Sequence, residues 1–275
     1  MTSKGHKTEL DLNVPKETML TSSTIAQLVI QILKLLLFQR NQIPLVYTTL
    51  KLFISRWGNQ ESYLSEELIE IENFEFHRYR LNILKTFHGI EEYFNIIKQT
   101  FHSNKIIKSV RILLGPTAFT PKEVYTINIP TVFYDHYDET HAHVMEFVTR
   151  KLLRSILLSE KLGETFVNPL RPTNVYMDFE VESPNGSINE YLDMKDFCEF
   201  TQSCKQIILN IKPESEHFNN FACCRKLKVF EEINEVDSEK KIVEKYCSLD
   251  FKWYEINQVI KGFKDNKKFN IWKLE

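Results

Sequence analysis

The strongest constraint on this chain is a stretch near its amino terminus, SSTIAQLVIQILKLLLFQRNQIPLVYTTLKLF, from Ser22 to Phe53. Ile25, Leu28, Val29, Ile32, Leu33 and Leu36 recur at spacings of three and four, the period of a helix with a buried face. Thr24 and Gln27 are spaced to form a capping box at its start. Leu35, Leu37 and Phe38 widen the apolar stripe, so most of the circumference is expected to be covered. Gln27, Gln31 and Lys34 interrupt it, and the run is shorter than the roughly 20 residues that cross a bilayer. It reads as a core helix rather than a membrane anchor. The pattern stops at Gln39-Arg40-Asn41, and Pro44 then fixes the backbone where a second short helix, carrying Val46, Leu50 and Phe53 on one face, can begin. A sharp polar corner between two apolar helices is expected.

With 7 Gly and 9 Pro in 275 residues, nothing resembles a flexible linker. The expected organisation is a disordered amino terminus over 1–22 followed by one domain over 23–275. A hydrophobic content of 43% with 20 Phe supplies a core that needs neither disulfides nor metal. The formal net charge of -2 leaves no electrostatic footprint for nucleic acid or for an acidic membrane. The first 20 residues mix Lys, Glu, Thr and Asn without an apolar run, which argues against a signal peptide and for a protein kept inside the cell. Cys198, Cys204, Cys223, Cys224 and Cys247 form no C-x-x-C pair and read as free thiols in a reducing compartment.

Further along, the acidic run Glu61 to Glu75 reads as a solvated face, or as a surface for a basic partner. Leu84, Phe87, Ile90, Phe94, Ile97 and Phe101 form the apolar stripe of a long helix. Strands are expected over 106–114 and 123–129, joined as a hairpin. A third helix over 138–162, ended by Gly163, carries Met145, Val148, Leu152 and Ile156 on its buried face. Its second apolar edge, Leu153 and Leu157, is bounded by Arg150, Lys151 and Arg154. That pattern suits an exposed docking face, or packing beneath the following loop. Beyond Gly163 the chain is β-rich, with strands over 175–181, 207–211 and 251–260, a turn at Pro184-Asn185-Gly186, and a charged segment over 231–245 that reads as an added loop.

Possible metal ligands crowd together only at Asp135, His136, His141 and His143, and His141 and His143 diverge once a helix has begun. There is no G-x-S-x-G elbow, no phosphate-binding glycine loop and no H-E-x-x-H, so neither metal, cofactor nor catalysis is expected.

Three blocks carry a resemblance: ILKLLLFQRNQIPLVYTTLKLF at the corner, SVRILLGPTAFTPKEVYTINI from Ser109 to Ile129, and QVIKGFK from Gln258 to Lys264. In this order they resemble the comet family, HORMA-like adaptors of the spindle assembly checkpoint that bind the HORMA protein Mad-two. The resemblance implies an α+β HORMA-like fold: a central, mostly antiparallel sheet, three main helices on one face, and a carboxy-terminal seatbelt over about 164–275 in the closed arrangement. It implies that Gln39, Arg40, Arg150, Leu153, Arg154 and Leu157 meet closed Mad-two, with Leu153 where the family has a bulky aromatic residue. Val259, Lys261, Gly262 and Phe263 match the family's self-closing tail, which 265–275 extends. Lys195 matches the site for a Pch-type AAA+ ATPase more loosely.

The implied function is a non-catalytic adaptor, monomeric alone, that presents closed Mad-two to the ATPase, dismantles the mitotic checkpoint complex and silences the checkpoint. The implied setting is nucleus and cytoplasm, with spindle or kinetochore in mitosis. Two alternatives are a HORMA scaffold that captures peptides in meiosis or DNA repair, and a metal-dependent enzyme built on Asp135, His136, His141 and His143.

Overall fold

In the computed structural model of the chain, the described residues are 7–15, 18, 20–60, 71–103, 105–130, 138–182, 190–196, 199–214 and 250–269, without the side chains of 58–60, 71–73 and 138–143. They form a mixed eight-stranded sheet and five helices. The first helix, α1 (Ser22–Gln39), follows the expected periodicity, with Ile25, Leu28, Val29, Ile32, Leu33, Leu36 and Leu37 all buried. Its cap lies one turn earlier than predicted. Thr21 Oγ1 accepts from the Thr24 amide at 3.2 Å, and Thr24 Oγ1 accepts from the Thr21 amide at 2.8 Å, so a threonine pair does what Thr24 and Gln27 were expected to do.

The helix ends in a Schellman motif. Asn41 adopts φ 54, its amide donates to the Phe38 carbonyl at 3.0 Å, and the Gln42 amide donates to the Leu37 carbonyl at 2.8 Å. Asn tolerates the left-handed region better than other side-chain-bearing residues, which makes it the stop signal. The next helix, α2 (Tyr47–Gln60), starts later than Pro44 implies, and Val46 is exposed while Leu50 and Phe53 are buried. Helix α3 (Ile71–His102) buries Phe87, Ile90, Phe94, Ile97 and Phe101 as expected.

The sheet contains β1 (Lys7–Val14), β2 (Ile107–Gly115), β3 (Glu123–Asn128), β4 (Asn174–Glu182), β5 (Leu192–Lys195), β6 (Lys205–Pro213), β7 (Phe251–Ile256) and β8 (Ile260–Lys261). Its order is β1-β6-β3-β2-β4-β7-β5, with β8 also on β4. The expected hairpin is β2 paired antiparallel with β3, whereas β6 pairs parallel with both β1 and β3.

Three expectations are corrected. Residues 7–14 are not disordered: Leu10, Leu12 and Val14 alternate toward the core while Asp11 on the outer face binds Lys212 at 2.7 Å. The helix expected over 138–162 is two, α4 (Asp138–Leu157) and α5 (Glu160–Val167), broken at Leu158-Ser159, and Gly163 lies inside α5. The last expected strand is also two, β7 and β8, both paired to β4.

One face of the sheet is covered by helices. Val110, Ile112, Leu114, Val175, Met177, Phe179, Ile207 and Leu209 point into one core with α1, which packs against both α3 and α4. Complete burial of a Leu or Ile contributes about 1.5–3 kcal/mol, so this interface is the main stabilising term. The opposite face has a small cluster of Leu113, Val124 and Cys204, and burial pushes the Cys204 thiol up to about 11. The other four cysteines, the Pro184-Asn185-Gly186 turn, the 231–245 segment and most of the acidic run lie outside the described residues.

Candidate functional site

The corner after α1 joins most of the molecule. Arg40 is fully buried and holds Glu123 of β3 with two bonds, Nε to Oε2 at 2.9 Å and Nη2 to Oε1 at 2.7 Å. Nη1 donates to the Thr165 carbonyl at 2.7 Å and Nη2 to the Asn168 carbonyl at 3.0 Å, tying the end of α5 to the same point. The Tyr125 hydroxyl donates to Glu123 at 2.9 Å, and burial raises its pKa far above the usual phenol range. A planar guanidinium satisfies such a site because its donors form a rigid fork. Arg40 is therefore not a residue that touches a partner. It holds up the corner on which its neighbour Gln39, half-buried, and Phe38, exposed, face outward.

Helix α4 presents the second surface. Met145, Val148, Leu152 and Ile156 are buried as expected. Leu153 is half-buried and packs against the core, while Leu157 is 42% exposed. The expected docking edge is thus one half-covered leucine and one open leucine, beside the exposed Arg150 and Arg154. Arg150 bonds Glu146 one turn back at 2.5 Å. The structure adds a second apolar shoulder that periodicity did not single out: Val144, Phe147 at 70% exposure and Leu158 at 68%. At about 100° per residue Phe147 lies about 120° around the helix from Leu153, with Arg154 between them. A basic crest flanked by two apolar shoulders is the most conspicuous unpaired helical face among the described residues.

Lys195 is placed differently from its expected role. Its ammonium lies 3.2 Å from Asp178 and 2.9 Å from Glu255, and its side chain is almost covered. It belongs to a row of charges on the outer sheet face, where Arg111 stacks 3.6 Å over Trp253. Burial pushes the Asp178 carboxyl up to about 6 despite Lys195 beside it. The cleft among these groups, about 10 Å³, has room for little more than one water. Lys195 is neither a free basic contact nor a solvated lysine.

The tail is fastened at every few residues. Ile260 and Lys261 pair with Val175 and Asn174, the Gly262 amide donates to the Thr173 carbonyl at 2.9 Å, and the Phe263 amide donates to the Gln42 carbonyl at 2.9 Å. A Cβ on Gly262 would stand 2.5 Å from Gln42 Oε1 and 3.0 Å from the Thr173 carbonyl, so only glycine lets the tail approach this closely. Gln42 cannot retreat, because its amide binds the Arg40 carbonyl at 2.6 Å and the Thr173 amide at 2.8 Å.

Helix α3 supplies three hydroxyls seven residues apart, Tyr93, Thr86 and Tyr79, which donate to the carbonyls of Gln258, Lys261 and Lys264 at 2.6, 2.8 and 2.7 Å. Seven helical residues span about 10.5 Å and three extended residues about 10 Å, so the two repeats stay in step. Part of the extension continues this docking, with Phe269 against Phe76 and Tyr79 and Lys268 bonded to Glu75. Val259 faces outward at 42% exposure. The sequence offered no signal for this ladder beyond the spacing of its hydroxyls.

Asp135 and His136 lie outside the described residues, as do the side chains of His141 and His143. Among the described residues no three His, Cys, Asp or Glu side chains are grouped to hold a metal.

The family model described as p31comet, Mad1 and Cdc20-bound-Mad2 binding, matches residues 14–185. The matched span runs from the end of β1 through the corner, the hairpin, α4 and β4. No curated protein matches the chain.

Proposed function

On the premise that this chain belongs to the p31comet family, described by Mad1 and Cdc20-bound-Mad2 binding, we propose that it is a non-catalytic adaptor selective for the closed conformer of Mad2. The observation that carries the reading is the exposed face of α4, with Leu153 and Leu157 beside Arg150 and Arg154, within the same matched span as Gln39 on the supported corner. Selectivity between conformers is the physical content of the role: a binder shifts or selects a population only by its differential affinity for the two states.

The adaptor then presents closed Mad2 to a Pch-type AAA+ ATPase, which opens it, dismantles the mitotic checkpoint complex and silences the checkpoint. Its setting is nucleus and cytoplasm, with the spindle or kinetochore in mitosis, and it is monomeric alone so that the α4 face stays available. The closed HORMA arrangement is supported by the tail, whose β8 pairs with β4 and whose carbonyls accept from the Tyr79, Thr86 and Tyr93 hydroxyls of α3. A fastened tail disfavours a peptide-capturing scaffold, which needs that path vacant. With Lys195 paired to Asp178 and Glu255 on the outer sheet face, the ATPase contact falls on another surface of this chain.

The experiment is a conversion assay. Closed Mad2 is incubated with the ATPase and ATP, with and without this protein, and the open fraction is resolved by ion-exchange chromatography. Conversion that depends on the adaptor supports the reading; equal conversion in both samples contradicts the presenting role.

A further inference from the structure

On the α3 side of α1, away from the α4 face, lies a cavity of about 140 Å³ between α1, α2 and α3. Lys34 of α1, Lys51 of α2 and Lys98 of α3 line it together with Gln27 and Asn95. The carboxylate on its wall, Glu91, is already engaged by the Tyr47 hydroxyl and by Lys51 at 3.0 Å.

Lys34 is the unusual member. Its ammonium lies 4.6 Å from the Tyr47 ring centroid and 4.8 Å from that of Phe94, half-buried, with no carboxylate bonded to it among the described residues. Burial holds its pKa below the usual lysine value; Glu91 opposes that shift, and Lys51 and Lys98 add to it by repulsion. A lysine stem over aromatic rings is ordinary packing. Three lysines lining one open cavity with a single carboxylate, two of them repelling the half-buried Lys34, are not, because like charges near one another are unfavourable unless something neutralises them.

We propose that this cavity binds a phosphate dianion, held by Lys34, Lys51 and Lys98. Three lysines and one glutamate leave a formal excess of two positive charges, which one dianion balances. The volume, well under the roughly 300–1,000 Å³ of drug-sized sites, suits one tetrahedral oxyanion and is too small to enclose a whole nucleotide. Lysines bind phosphate as point charges without needing the fork geometry of arginine, and the two side-chain amides add neutral donors. The dianion is either free phosphate or the phosphate of a phosphorylated side chain, and the recognised chemistry is the same.

The test is thermal unfolding of the full chain at constant ionic strength in chloride, in inorganic phosphate and in capped phosphoserine, for wild type, Lys34→Met and Lys98→Met. Lys98 is exposed, so its loss leaves the fold intact. A tenfold excess of phosphate over its Kd raises the wild-type Tm by about 3–6 °C over chloride, and both variants lose most of that rise. Tighter binding of capped phosphoserine assigns the site to a modified polypeptide, and binding of inorganic phosphate alone assigns it to the free ion. No rise over chloride with either ligand, or an equal rise in both variants, overturns the proposal.

Discussion

Replacing Arg40 by Met removes the charge and the fork while keeping much of the side-chain volume. Glu123, whose side chain is 5% exposed, then faces the core with only the Tyr125 hydroxyl as a partner, and the carbonyls of Thr165 and Asn168 lose their donors. Stranding one member of a buried ion pair costs about 3–5 kcal/mol. Domains of this kind have total stabilities of about 5–15 kcal/mol, so the variant is expected to be folded but severely weakened. The Arg40→Met, Glu123→Leu double variant removes the stranded charge and leaves three neutral groups short of partners, at about 1–3 kcal/mol for each that water cannot reach. Water can enter at the Asn168 end, where the bond is only partly buried, so the double variant should be more stable than Arg40→Met alone by about 1–2 kcal/mol. Urea unfolding followed by far-UV circular dichroism measures Arg40→Met, Glu123→Leu and the double variant. Additive losses in the double variant, or a loss under about 1 kcal/mol for Arg40→Met, would refute the claim that this pair supports the corner.

Gly262→Ala should detach the tail, because its Cβ meets Gln42 Oε1 and the Thr173 carbonyl, at a cost of about 1–3 kcal/mol; hydrogen exchange over 258–269 should accelerate while α1 stays protected. Tyr79→Phe removes the donor to Lys264 and the acceptor for the Asn266 amide, so exchange should rise at the carboxy-terminal end of the tail and not at Ile260. Asp178 has a folded pKa of about 6, above the ordinary value of 3.8. The folded state therefore binds its proton more tightly, and this group's contribution to stability falls as pH rises from about 4 through 6, by up to about 3 kcal/mol. Asp178→Asn should lose that slope in urea unfolding between pH 4.5 and 7.5, and a profile parallel to wild type would count against it.

The elements legible in the sequence were those whose own residues carry the pattern. α1, α3 and the buried face of α4 repeat at helical spacing because each meets the core along one stripe, and β2 and β3 are dense in β-branched residues. β1 was obscured by Lys7, Glu9, Asp11 and Asn13, although Leu10, Leu12 and Val14 alternate between them; an edge strand with a wet outer face looks polar in composition. The break between α4 and α5 left no proline or glycine at the junction. The site was harder because its logic is long-range. Nothing near Arg40 indicates that Glu123, 83 positions away, will claim it, and nothing near Lys195 points to Asp178 and Glu255. A charged residue within a family motif therefore looks like a contact in the sequence although it is a support in the fold. Phe147 lies off the edge that the resemblance emphasises, so the sequence does not single it out.

The central claim is tested most directly by titrating the protein against Mad2 locked closed and, separately, locked open, with wild type, Gln39→Ala, Leu157→Glu and Phe147→Glu. Leu157 is preferable to the half-buried Leu153, whose replacement by Glu would also disturb the core. The account predicts binding to closed Mad2 alone, weakened at least about 30-fold, or about 2 kcal/mol, by Leu157→Glu with unchanged folding. Phe147→Glu decides whether the second shoulder takes part. Equal affinity for both conformers, or closed-form binding unaffected by all three substitutions, would contradict it.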